Sequence, residues 1–203
     1  MQQLFARLVK NPDDLDARVE LGWGHLTNRV TVDAAREVME VFRRSPNHGP
    51  GNLLHAELLR RRGATEDAEA AYKKGFAAGA EDFDSRVNFA RLLLEQGRTE
   101  EAKQQLESAK ACWPRCTEAQ NAPELLLGQI YRLAGQRDLE LMELKSYCKR
   151  TGRAYAPRMR LAEYAREQGD RLEEAKWLEE ALVIDPFSVA LHEQLGACYL
   201  ALD

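Results

Sequence analysis

The sequence has 203 residues, 44% of them hydrophobic and 31% charged, a balance that supports a folded core and excludes both a disordered tail and an apolar membrane protein. Lysine and arginine number 29 against 33 aspartate and glutamate, and a formal net charge of -4 gives no broad basic surface for nucleic acid. No apolar run approaches the roughly 20 residues of a membrane span, so no membrane partner is expected. The opening residues Gln2-Gln3-Leu4-Phe5-Ala6-Arg7 lack the apolar stretch and small-residue cleavage site of a secretory signal. A reducing, cytoplasmic location is the expectation.

Taken in chain order, the first predicted element is a helical run from Gln2 to Lys10, closed by Pro12. Beyond it the chain repeats. Gly63-Ala64-Thr65-Glu66-Asp67-Ala68 is echoed 34 residues later by Gly97-Arg98-Thr99-Glu100-Glu101-Ala102, and Gly135 and Gly169 are again 34 apart. The step from Gly97 to Gly135 is 38, which places four extra residues between the third and fourth units. With each glycine at the fifteenth position, units start at 15, 49, 83, 121 and 155, with partial units at 1–14 and 189–203. The first full unit has Arg29 in place of the glycine, and its turn is expected to be built differently.

The eighth position of the units reads Gly22, Ala56, Ala90, Gly128, Ala162 and Gly196, small in all six. The seventh reads Leu21, His55, Phe89, Leu127, Leu161 and Leu195, and the eleventh is mostly large, so spacings of three and four residues mark one helical face. After each turn a second helix is predicted, with Ala34, Ala68 and Ala102 at the twentieth position and Val38, Tyr72, Leu106, Leu144 and Leu178 at the twenty-fourth. Pro46, Pro114 and Pro186 close three of these helices. Small side chains at the eighth and twentieth positions let the paired helices approach closely. The predicted fold is all-α, a solenoid of helix-turn-helix pairs forming one domain over residues 1–203.

This pattern of Leu-Gly, Tyr, Ala, an aromatic or leucine, and Pro at a 34-residue period resembles the tetratricopeptide repeat family. The best match is Phe83 to Cys116, with Phe89, Ala90, Leu93, Gly97, Ala102, Leu106, Ala109 and Pro114 in place. Departures are Ala80 and Gly152 where proline is usual, and Glu140 and Glu174 where alanine is usual. The latter two predict altered packing in the fourth and fifth units. Residues 1–14 then read as the second helix of an incomplete preceding repeat.

Catalytic machinery is not visible. There is no phosphate-binding glycine loop, nucleophile elbow or His-Glu metal motif. Cys112 and Cys116 form the only close cysteine pair, without a second pair to complete a zinc site, and His25, His48, His55 and His192 are scattered. No metal, no cofactor and no enzymatic activity are expected. His55 stands where other units carry leucine or phenylalanine, which reads as a partly buried histidine.

The resemblance implies that the first helix of each unit lines the inner surface of a superhelix, where peptides or partner helices bind. The fifth position there reads Val19, Leu53, Val87, Leu125 and Met159, an apolar row broken only at Glu193. The twelfth reads Leu26, Arg60, Leu94, Arg132, Arg166 and Leu200, with Arg61 and Arg91 nearby. Arginine beside apolar side chains suits an acidic, partly hydrophobic segment, because guanidinium pairs with carboxylate through parallel hydrogen bonds. The candidate partner-binding residues are therefore Trp23, Leu53, Arg60, Val87, Arg91, Leu125, Arg132, Met159 and Arg166. Trp23 either packs on the N-terminal helix or stacks a ligand. The lysine and asparagine pattern that clamps chaperone tails in one branch of the family is missing.

The expected function is a scaffold that binds a protein or peptide, the alternative being the regulatory or targeting segment of a larger enzyme. The last predicted helix presents Leu195, Tyr199 and Leu202 without a partner helix. Either the natural polypeptide continues or self-association covers that face.

Overall fold

A computed structural model describes residues 2–202, and these form twelve α-helices with no strand among the described residues. Met1 and Asp203, the outer bounds of the expected repeat domain, lie outside the described residues. The helices are α1 (Gln2–Lys10), α2 (Leu15–Thr27), α3 (Thr31–Arg44), α4 (Gly49–Arg61), α5 (Thr65–Ala77), α6 (Phe83–Glu95), α7 (Thr99–Cys112), α8 (Pro123–Leu133), α9 (Arg137–Cys148), α10 (Tyr155–Glu167), α11 (Arg171–Leu182) and α12 (Val189–Leu200). Five of the six predicted unit starts coincide with a helix start. The sixth, at 121, precedes α8 by two residues because Ala122 caps the helix and Pro123 takes the first helical position, where its missing N–H costs nothing.

The chain divides into two compact units, Met1–Cys112 and Trp113–Asp203. In the first, α2 pairs with α3, α4 with α5 and α6 with α7, and α1 packs on α2. In the second, α8 pairs with α9 and α10 with α11, and α12 packs on α11. Each unit has its own core. Val19, Leu26, Val38, Val41, Leu54 and Leu58 close the first hairpin against α4, and Leu144, Tyr147, Leu161, Trp177, Leu178 and Leu191 fill the second unit.

The turns inside the hairpins are of one kind. Gly63, Gly97, Gly135 and Gly169 all have positive φ, between 70° and 77°, the left-handed conformation that only glycine adopts without strain. Ala64 N–H donates back to Leu59 O at 3.0 Å and Gly63 N–H to Arg60 O at 3.0 Å, satisfying carbonyls at the helix end. Arg29 departs from expectation. Its turn is not built differently: Arg29 has φ 62°, and Val30 donates to His25 O at 2.9 Å as Ala64 does to Leu59. The two flanking helices dictate the turn, and the arginine accepts the strain.

The small eighth position lets a leading helix approach its neighbours: Leu54, nearest to Gly22, lies on the next leading helix α4, and Leu144, nearest to Gly128, on the hairpin partner α9. Gly22, Ala56, Ala90, Gly128 and Ala162 are all buried. A Cβ at Gly22 would meet Leu54 Cδ2 at 2.4 Å, and one at Gly128 would meet Leu144 Cδ2 at 3.5 Å. Gly196, the sixth of the series, is exposed with nothing within 4 Å of that point.

The two glutamates at the twentieth position are buried and used. Glu140 of α9 accepts from Arg160 at 3.3 Å and from the Tyr164 hydroxyl, both on α10. Glu174 of α11 is paired with Arg171 at 2.7 Å. Where alanine would give contact alone, Glu140 carries a polar bridge from one hairpin to the next.

Candidate functional site

The second unit holds two adjoining clefts on the exposed side of α8 and α10. One, of about 470 Å³, is lined by Arg132, Tyr155, Met159, Glu163, Arg166 and Gln194 among others. The second, of about 250 Å³, is lined by Leu125, Gly128, Gln129, Leu144 and Pro157, and shares Arg132, Ala156 and Arg160 with the first. Four of the nine candidate residues thus line one continuous surface: Leu125 and Met159 half-buried, Arg132 and Arg166 exposed. Both arginines occupy the last turn of their helices, where cationic side chains oppose the negative end of the helix dipole. Among the described residues neither guanidinium is held in an ion pair, so both are available to a ligand.

Arg160, between them, is committed elsewhere. It donates to Glu140 at 3.3 Å, to Glu163 at 2.5 Å and to the Tyr164 hydroxyl at 3.1 Å, with its guanidinium 4.3 Å above the Tyr164 ring. The periodicity did not single out Arg160. The signal was present in Glu140, since a carboxylate at a buried alanine position needs a cation or donor from the facing helix.

In the first unit the candidate residues are arranged differently. Trp23 is half-buried and lines a cavity of about 430 Å³ together with Val19, Leu53 and Ala80. The rim is acidic, with Asp16, Glu20, Glu81 and Asp82 facing Arg7. Trp23 packs against the cluster of α2, α3 and α4 side chains. Leu53 and Val87 are 2% and 1% exposed and belong to the core. Arg60 is engaged by Glu57 through two bonds of 2.8 Å, and Arg61 reaches the same carboxylate at 2.8 Å. Tyr72 and Asn88 also donate to Glu57, at 3.2 and 3.3 Å. Burial alone would push the Glu57 carboxyl up, but the hydrogen bonds and charges of Arg60 and Arg61 hold it below the usual carboxylate range. Arg60 is therefore part of a buried polar cluster, while Arg91 is half-buried on α6.

His55 is half-buried, with its ring edge-on to Phe42 at 5.4 Å, and burial lowers its pKa. Cys116, Cys148 and Cys198 are buried and Cys112 is exposed. No group of three or more potential metal ligands occurs among the described residues, and no described helix is long and apolar enough to cross a membrane.

Residues 59–130 match a family model described as tetratricopeptide repeat. Over that stretch the chain carries tetratricopeptide repeats. Solved tetratricopeptide structures share the fold over most of its length. YrrB, described as a tetratricopeptide repeat protein with an unusual peptide-binding site, superposes with a TM-score of 0.66 at 13% identity, covering 94% of this chain and 96% of its own. PilF of Pseudomonas aeruginosa gives 0.65 at 15% identity, covering 93% and 90%. PilW, described as a type IV pilus biogenesis factor, gives 0.62 at 16% identity, covering 95% and 87%. No curated protein matches the chain by sequence. Tetratricopeptide repeats are in general protein-interaction scaffolds, and the clefts of the second unit combine an apolar lining with the exposed Arg132 and Arg166.

Proposed function

We propose that the chain is a non-catalytic scaffold that holds an acidic, partly apolar segment of a partner protein in the α8 and α10 clefts. The observation that carries this reading is the pair Arg132 and Arg166, which recur at the same position of successive leading helices beside Leu125 and Met159 and make no ion pair among the described residues. Guanidinium binds carboxylate in a planar, two-point geometry that a lysine would not reproduce. Leu125 and Met159 supply the apolar contact, and the flexible thioether adapts to different side chains. Glu163 and Glu174 line the same surface and disfavour a partner segment whose acidic residues run through its whole length. The sequence expectation of an arginine row through Arg60, with Leu53 and Val87 as anchors, narrows to the second unit, because Arg60 is held by Glu57 and the two apolar residues are interior.

The test uses an array of synthetic peptides in which acidic and apolar content vary independently. Wild type retains peptides that combine both, and retention weakens with salt because exposed charge is screened over about 8 to 10 Å near physiological ionic strength. An Arg132→Glu, Arg166→Glu variant loses that set, whereas Trp23→Ala in the first unit keeps it. An unchanged set in the double charge variant contradicts the proposal.

A further inference from the structure

In the first unit α3, α4 and α5 enclose a cavity of about 410 Å³, walled by Phe42, Pro46, Leu59 and Ala71. The neighbouring repeat shows how this place is filled when its side chains are large. There Phe89, at the seventh position, stacks on Tyr72 with ring centroids 5.2 Å apart. Arg86, at the fourth, lies 3.7 Å over the Phe76 ring and donates at 2.7 Å to Gln105, at the twenty-third. In the α4 hairpin the same three positions are His55, Asn52 and Ala71, all shorter, while Phe42 keeps the place of Phe76. The cavity is the volume these shorter side chains release. The arginine and its glutamine acceptor have gone together, and at the rim Asp67 and Lys74 carry opposite charges, Lys74 being held by Pro46 O at 2.9 Å. The walls therefore suit a flat, uncharged ring better than an ion.

Two polar side chains line this apolar space with hydrogen-bonding atoms to spare. Asn52 is 2% exposed; its Nδ2 donates to His48 O at 2.8 Å, and its Oδ1 accepts no hydrogen bond among the described residues. His55, three residues on and so on the same helical face, meets Phe42 edge-on and makes no hydrogen bond among the described residues. Burial lowers its pKa, so at neutral pH the ring is uncharged and carries one N–H donor.

We propose that this cavity receives a tyrosine side chain of a partner protein, the ring lying against Phe42 and Pro46, the hydroxyl donating to Asn52 Oδ1 and accepting from the His55 N–H. Phenylalanine fits the walls but leaves both polar groups unpaired, and tryptophan brings a donor without an acceptor. The site shares no residue with the α8 and α10 clefts and does not depend on their function.

Titration of the whole chain with two capped pentapeptides, a tyrosine or a phenylalanine flanked by glycines, tests it through the imidazole proton resonances of His55, identified by their loss in His55→Phe. The tyrosine peptide shifts the His55 signal saturably. The phenylalanine peptide binds at least about tenfold more weakly, because a site whose buried polar groups pair with a hydroxyl rejects the analogue lacking it. Ala70→Trp, at an exposed position of the lining, loses the shift by filling the space. Asn52→Leu binds the two peptides alike; its helical content is compared with wild type because Asn52 is interior, and Ala70→Trp decides the matter should that variant unfold. Arg132→Glu, Arg166→Glu binds the tyrosine peptide as wild type does. No saturable shift in wild type, equal affinity for the two peptides, or wild-type affinity in Ala70→Trp would each overturn the proposal.

Discussion

Arg29 shows how far a repeated fold can force a single residue. It occupies the left-handed region at φ 62°, where four glycines stand in the other hairpins, and a side chain in that region costs about 1 to 2 kcal/mol per residue. Arg29→Gly removes the strain at some cost in unfolded-state entropy, and a net gain of about 0.5 to 1 kcal/mol in thermal or urea unfolding is expected. Gly97→Ala should lose about 1 kcal/mol by the same reasoning. The glycine spacing was legible in the sequence, but the Arg29 turn was not, since local propensity argues against it and only the packed helices impose it.

Glu57 gives the second residue-scale expectation. Its folded pKa lies below the ordinary value of 4.5, so its contribution to stability is present above about 4.5 and is lost as pH falls through the folded value. Thermal melts of wild type and Glu57→Gln should differ at neutral pH and converge as acid protonates the carboxylate. A difference that persists undiminished into acid would show that the Arg60 and Arg61 pairing is not what lowers the carboxyl pKa.

At the scale of the helix pair, the small eighth position was the most informative feature of the sequence. Five of its six members are buried between helices, and Ala90 is fully buried. Ala90→Trp should overpack α6 against α7 and lose about 1 to 3 kcal/mol in unfolding experiments. Unchanged stability would contradict the register. Glu140 was legible only as a departure from the pattern. Its role became clear with α10 in place, because the partner cation Arg160 lies 20 residues away in sequence and no local spacing links them. Glu140→Ala restores the common small residue yet leaves Arg160 and the Tyr164 hydroxyl without their shared acceptor. A loss of about 1 to 3 kcal/mol is expected from that unsatisfied pair.

At the scale of the whole chain, periodicity established the helix-turn-helix array because repeat spacing is written directly in the sequence. The candidate site was only half legible. Position within a repeat identified Leu125, Arg132, Met159 and Arg166, but it treated Arg60 as equivalent to them. Which arginine is uncommitted depends on a buried acid on the same helix or the next, and that differs from unit to unit. Apolar rows carry the same ambiguity: Leu53 and Met159 share a repeat position, yet Leu53 is 2% exposed where it lines the Trp23 cavity and Met159 is only half-buried in its cleft.

The central claim is that the α8 and α10 surface is where a partner segment lies, and photo-crosslinking addresses it most directly. A photoreactive residue at position 159 in the cleft, and another at the exposed Met39 on α3 as a control, would be irradiated in native extract and the attached peptides sequenced. Position 159 is expected to capture acidic segments containing apolar residues, with yield falling as salt rises and with Arg132→Glu, Arg166→Glu in the same chain, while position 39 does not capture them. The same peptides at both positions, or segments at 159 without acidic residues, would contradict it.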